Sequence, residues 1–200
     1  MLENQKEQEK LEKDKKIILV TGNKDKLKEF EKIFNVSNFI LENKKYNGDE
    51  IQSMNLGEIC EHKVKQAYDL IGEAVIVEDT GFFLDEFGGL PGPFLKFFEK
   101  ELGNGALVKL LGKSTNRKGI ARTCIAYYDG KNMILSYGEV EGNILDEVVS
   151  EGESLGFDFC FVPKGYDRTF SQMGLDEKNK ISQRKRAIEN FKKDFMDLKY

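Results

Sequence analysis

The sequence predicts an α/β fold built on a mixed, partly parallel sheet. Three observations carry this. Short continuous apolar runs alternate with helical-period segments in the first half, two long strand-like segments joined by Asp129-Gly130 follow, and an amphipathic segment rich in Lys and Arg closes the chain.

Taken in order, residues 1–16 carry the acids Glu3, Glu7, Glu9, Glu12 and Asp14 and the lysines Lys6, Lys10, Lys13, Lys15 and Lys16. With almost nothing to bury, they read as a charged flexible tail, and a single domain is expected over 17–200. Ile17, Ile18, Leu19 and Val20 form a short apolar run ending at Thr21-Gly22-Asn23, after which Leu27, Phe30, Ile33 and Phe34 recur at helical spacing. Strand, tight turn and helix therefore follow one another. Phe39, Ile40 and Leu41 give a second strand, and Leu56, Ile59, Cys60, Val64, Ala67 and Ile71 trace one face of a second helix. A third apolar run, Ala74 to Val77, is expected to close at Glu78-Asp79-Thr80-Gly81. Beyond the Gly/Pro-rich loop 88–93, residues 119–129 and 132–141 read as a hairpin turning at Asp129-Gly130. The last element reads as one helix from Asp176 to about Leu198, with Ile181, Ala187, Ile188, Phe191 and Phe195 along it.

Composition sets limits on function. The 200 residues are 40% hydrophobic and 33% charged, too apolar for disorder and sufficient for one well-filled core. A net charge of −4 argues against a general nucleic-acid coat, and no nucleic-acid partner is expected. Cys60, Cys124 and Cys160 form no CxxC pair and read as buried thiols. No stretch approaches the ~18 apolar residues of a membrane span, and the first residues lack the apolar segment of a secretory signal, so a cytoplasmic protein with no membrane partner is expected.

Ligands in α/β sheets bind at the carboxyl ends of strands, and polar clusters follow two apolar runs here: Thr21-Gly22-Asn23 and Glu78-Asp79-Thr80. The first opens a helix, where the dipole and backbone amides favour an anion such as phosphate. An ordinary strand-to-helix turn with Asn23 as N-cap explains it equally well, since TGNKDK is neither GxGxxG nor a Walker A loop. Lys26, Lys63, Lys96 and Lys178 stand at or near element ends. Each alone reads as a solvated lysine, while together they suit the charge of a triphosphate. Glu50 and Asp79 are hard oxygen donors of the kind magnesium takes. The lone His62 has no visible nucleophile partner and reads as a structural or surface histidine. In Gly156-Phe157-Asp158, an aromatic-rich strand competes with a base pocket, in which Phe157 stacks and Asp158 accepts a hydrogen bond.

Five blocks now carry a resemblance: TGNKDKLKE (21–29), DEIQ (49–52), VEDTGFFLDEFGGLPGPFLK (77–96), GFDFCFVP (156–163) and EKNKISQRKRA (177–187). In this order they resemble the inosine/xanthosine triphosphate pyrophosphatase family from about Ile17 to Phe195. The resemblance implies a homodimer with an elongated mixed sheet and a central cleft between two lobes. That cleft takes Mg²⁺, with Mn²⁺ as a substitute, and a nucleoside triphosphate. By similarity Thr21, Gly22, Asn23, Lys24, Asp25 and Lys26 bind the triphosphate, with Thr80 beside them. Glu50 and Asp79 serve the metal, Lys63, Lys96 and Lys178 hold phosphates, and Leu155, Gly156, Phe157, Asp158, Gln183 and Arg184 enclose the base. Asp79 and Lys63 are the residues implied in catalysis, with Asp79 orienting or deprotonating water. Two positions depart from the family pattern: Gln183 stands where histidine is usual and Phe159 where proline is usual. The implied reaction converts ITP, dITP or XTP to the monophosphate and pyrophosphate. The alternatives are a related pyrophosphatase for other modified nucleotides, or a catalytically silent nucleotide- or RNA-binding protein using the basic C-terminal segment.

Overall fold

The computed structural model describes residues 15–34, 39–45, 48–149 and 156–198. Its elements are β1 (Lys15–Val20), α1 (Lys24–Ile33), β2 (Phe39–Lys44), α2 (Leu56–Ile71), β3 (Val75–Leu84), β4 (Pro91–Gly92), α3 (Leu95–Leu102), α4 (Ala106–Leu111), β5 (Lys118–Tyr128), β6 (Met133–Ile144), β7 (Phe161–Pro163), α5 (Phe170–Ile181) and α6 (Gln183–Met196). Short 3₁₀ turns lie at Asp85–Phe87 and Gly156–Phe159. The strands form one mixed sheet in the order β2-β1-β3-β5-β6-β7, with β4 paired to β3. The β1 pairings with β2 and β3 are parallel, and every other pairing is antiparallel.

Most elements fall where hydrophobic periodicity puts them, with three differences. First, β1 starts at Lys15, so the last two residues assigned to the charged tail are strand. The Lys16 ammonium meets Glu42 of β2 at 2.9 Å and Glu73 of the α2–β3 connection at 3.2 Å. The remainder of the tail, 1–14, lies outside the described residues. Second, β3 does not close at Glu78. It runs through Glu78-Asp79-Thr80-Gly81 to Leu84, because β5 pairs with it along its whole length, from Val75↔Tyr128 to Leu84↔Gly119. Third, the closing helix is two helices. Ser182 breaks them with an extended backbone (φ −62°, ψ 158°), and its hydroxyl caps α6 by accepting the Lys185 amide at 3.2 Å.

The alternation of β3 divides the core. Val75 and Val77 face α2, packing with Cys60, Val64, Ala67 and Cys124. Ile76 faces the other side, where α1 and α6 bury Phe30, Ala187, Ile188 and Phe191. Truncating one such buried phenylalanine costs about 3–5 kcal/mol. Close approach of α6 to β6 depends on Gly138, where a Cβ would lie 2.1 Å from the Gln183 carbonyl oxygen. A third cluster holds Phe82, Phe157, Phe161 and Phe170 around the Gly156–Phe159 turn. Phe82 packs at 5.1 Å, ring centroid to centroid, on both Phe157 and Phe161.

Candidate active site

The site arises where β3 loses a neighbour. On one edge β3 pairs with β1 only at Val75 and Ile76 and with β4 only at Phe82 and Phe83. Among the described residues, the stretch between has β5 on its other edge alone. Into this gap opens a cleft of about 1200 Å³, lined by residues of the β1–α1 turn, α2, β3, α3, the Gly156–Phe159 turn, α5 and α6.

Local chemistry builds the β1–α1 turn. The Asn23 side-chain oxygen accepts the Lys26 amide at 3.2 Å, so the N-cap reading of Asn23 holds, and Thr21 Oγ1 accepts the Asn23 amide at 3.1 Å. Thr21, Gly22, Asn23 and Lys26 all line the cleft, and a Cβ at Gly22 would meet nothing within 4 Å, so the space over this turn is open.

Strand alternation puts Glu78 and Thr80 on one face of β3 and Asp79 on the other, with all three lining the cleft. Asp79 accepts the Thr80 amide at 3.0 Å and lies 3.8 Å from the Lys26 ammonium. On the neighbouring wall Glu50 accepts from Lys63 at 2.9 Å and from Lys96 through its other oxygen. Among the described residues no group of three or more His, Cys, Asp or Glu forms a ready metal cage. This donor set fits Mg²⁺, which takes one or two carboxylates and completes its shell with water and substrate phosphates. Glu50 and Asp79 are the residues that would hold it.

Next to Asp79, and sharing Lys26 with it, lies a buried charge network. Arg184 donates to Glu78 through Nε at 2.7 Å and Nη2 at 3.1 Å, and to Glu29 through Nη1. Lys178 donates to Asp158 at 2.6 Å and to Glu29 at 3.2 Å. Burial would raise the Glu78 carboxyl, but Arg184, Lys26 and the hydrogen bonds from Arg184 and Thr80 outweigh it and hold it at about 2. Glu29 is likewise lowered, against its burial, by Arg184 and Lys178. Three of the five guanidinium N–H groups are spent on Glu78 and Glu29, leaving two oriented by that anchorage. Gln183 is 2% exposed and lines the cleft, and its Oε1 has no hydrogen-bond partner among the described residues.

The structure thus brings together Thr21, Gly22, Asn23, Lys26, Glu50, Lys63, Asp79, Thr80, Lys96, Phe157, Asp158, Lys178, Gln183 and Arg184. Lys178, expected at the phosphates, stands among Asp158, Glu29 and the Phe170 ring, on the side assigned to the base. Lys24 is exposed and does not line the cleft, and Gly156 shapes its turn without lining it. The side chain of Asp25 and all of Leu155 lie outside what the structure describes. His62 is half-buried beside Gln66 of its own helix, away from the cleft. Sequence reasoning missed Glu29, Glu99 and the run 170–175 of α5. Glu29 shares α1 with four lysines and with Asp25 and Glu31, so nothing in its spacing singles it out.

A mixed sheet whose cleft gathers hydroxyls, lysines and carboxylates beside a strand-to-helix turn has the make-up of an α/β protein suited to a phosphorylated ligand. Known proteins make this specific. The Ham1 family model matches residues 17–194, and the chain belongs to that family. It is 39% identical over 184 residues to an inosine triphosphate pyrophosphatase of Kluyveromyces lactis, covering 88% of this chain and 93% of that protein. To a dITP/XTP pyrophosphatase of Methanopyrus kandleri it is 34% identical over 177 residues, 88% of this chain and 94% of that one. The Staphylococcus aureus Ham1 protein shares the fold, with a TM-score of 0.79 at 22% identity over 92% of this chain and all of that one. A HAM1 protein from Coxiella burnetii superposes with a TM-score of 0.78 at 19% identity, covering 92% and 99% of the two chains.

Proposed function

We propose that this chain is a nucleoside triphosphate pyrophosphatase that converts ITP, dITP and XTP to the monophosphate and pyrophosphate, removing deaminated purines from the nucleotide pool. One observation carries the reading: a single cleft gathers cations and hydroxyls together with a buried donor and acceptor set. Its volume of about 1200 Å³ accommodates a whole nucleotide.

In this reading the triphosphate lies along Thr21 to Lys26, with Lys63 and Lys96 turning from Glu50 to the phosphates. Asp79 orients and deprotonates a water for in-line attack on the α-phosphorus. The bond from that phosphorus to the α–β bridging oxygen breaks, its electron pair leaves with pyrophosphate, and the water's proton passes to Asp79. Mg²⁺, with Mn²⁺ as substitute, supplies charge neutralisation at the phosphates when held by Glu50 and Asp79. At the base end, the two remaining Arg184 N–H groups donate to O6 of a 6-oxopurine and Asp158 accepts N1–H. Adenine, with an amino group and a bare N1, mismatches both.

The family resemblance supports a homodimer, and three buried free thiols suit a reducing cytoplasm. No described helix is long and apolar enough to cross a membrane. The test is pyrophosphate release from a panel of nucleoside triphosphates with and without Mg²⁺, alongside light scattering for mass. Metal-dependent release with ITP and XTP ahead of ATP is expected. Equal rates on all purines would overturn the substrate reading, and a monomer mass the dimer.

A further inference from the structure

One acidic group in the cleft has no part in the chemistry above. Glu99, on α3, presses its carboxyl group onto the α-carbon of Gly156: a Cβ there would lie 2.1 Å from Oε1, 2.6 Å from Cδ and 2.7 Å from Oε2. Gly156 holds φ +58°, a left-handed conformation that suits glycine, and it opens the 3₁₀ turn carrying Phe157 and Asp158 into the cleft. Glu99 lines the cleft, yet its Oε1 is buried with no hydrogen-bond partner among the described residues. An ionised carboxylate with an idle buried oxygen is costly, whereas a protonated one has a single charge-free hydroxyl to place.

We propose that Glu99 is a positioning residue for purine recognition, seating the Gly156–Asp158 turn while it carries its proton and releasing it on ionisation. This rests on the reading of Asp158 as the acceptor of the purine N1–H. Burial raises the Glu99 carboxyl, the Phe157 amide opposes that rise, and Asp158 adds to it, the outcome being about 7. Among the described residues no cation is paired with Glu99. Asp158 faces it from the turn and is bound by Lys178 of α5, and the Cys160 thiol lies nearby, pushed up to about 12 by burial, Glu99 and Asp158. Lys96 of its own helix meets Glu50, and Lys109 of α4 donates to the Leu102 carbonyl at 2.7 Å. On ionisation, a second buried anion faces Asp158 at the point where the base is read, so the substrate favours protonated Glu99.

Two measurements on the full chain test this. Without substrate, the ¹⁵N–¹H signals of Phe157 and Asp158 should titrate with a midpoint near 7 in the wild type and stay flat in Glu99→Gln. With ITP, wild-type KM should rise by up to about tenfold from pH 6 to pH 8 while kcat follows the same course in both proteins. In Glu99→Gln the KM should hold its low-pH value throughout, and in Glu99→Ala it should be raised at every pH. Coincident KM profiles for wild type and Glu99→Gln, or amides that do not titrate in the wild type, would overturn this proposal alone. Absence of ITP turnover in the wild type would overturn the substrate reading and, with it, the role in purine recognition.

Discussion

Arg184 grips Glu78 with two nitrogens, Nε at 2.7 Å and Nη2 at 3.1 Å, and so fastens the first turn of α6 to the middle of β3. Both side chains are buried, at 8% and 3% exposure, and Glu29 completes the pairing from α1. A residue placed by sequence at the base thus also ties three elements together.

Removing that guanidinium leaves two carboxylates buried without their main cation. Arg184→Ala should therefore destabilise the fold by about 3–5 kcal/mol, read by urea denaturation, and should erode the ITP/ATP preference in kcat/KM by roughly 1–3 kcal/mol. An unchanged ITP/ATP ratio would remove Arg184 from base reading whatever the stability loss.

Acid should attack the same network. The Glu78 carboxyl lies at about 2 in the fold against an ordinary value of 4.5, so its contribution is fully present above pH 4.5 and is lost as pH falls towards 2. Glu99 has the opposite sign: raised from 4.5 to about 7, it makes folding less favourable as pH climbs through that window. Glu99→Gln should consequently raise the melting temperature at pH 8 and leave it near the wild type at pH 4.

Asp79→Asn keeps shape while removing charge and basicity. Turnover should fall at least about 10²-fold, with circular dichroism and melting temperature close to the wild type. Hydrolysis near the wild-type rate would take Asp79 out of the reaction.

Glu50→Gln should shift the Mg²⁺ dependence to higher concentration, with raised metal restoring part of the rate. Because Glu50 also holds Lys63 and Lys96, the variant should bind substrate phosphates without first breaking those pairs, lowering KM at saturating metal. An unchanged Mg²⁺ midpoint would place Glu50 outside the metal site.

Gln183→His tests the departure from the family pattern. An amide can present a donor or an acceptor to a base edge, and the idle Oε1 of Gln183 tolerates an amino group. Histidine should sharpen the ITP/ATP ratio in kcat/KM, and a ratio equal to that of the wild type would show that Gln183 does not read the base.

Elements with a strong local period are legible in the residues themselves: β1, α1, α2 and the β5–β6 hairpin, whose Asp129 carboxylate accepts the Asn132 amide at 2.6 Å across the turn. What escapes a reading of the sequence depends on partners far along the chain. Glu78 to Gly81 interrupt the apolar pattern, and only pairing with β5, some 45 residues on, keeps them in a strand. Ser182 lies inside a continuous helical pattern, so its break shows only through the cap it provides to α6. Most of the cations and carboxylates on the cleft stand out by type and spacing, yet their pairing does not. Glu29 on a lysine-rich helix reads as solvated until Arg184 and Lys178 arrive from the other end of the chain.

The edge of β3 between its β1 and β4 pairings, bare among the described residues, has a consequence for solubility. An unpaired stretch of strand is a template for another chain to add to, and natural sheets guard such edges with charge. Here the guard is Asp79, whose carboxylate lines the cleft while Glu78 is buried against Arg184. Neutralising Asp79 therefore strips a safeguard together with the proposed base, and concentrated Asp79→Asn protein should self-associate more readily than the wild type in light scattering.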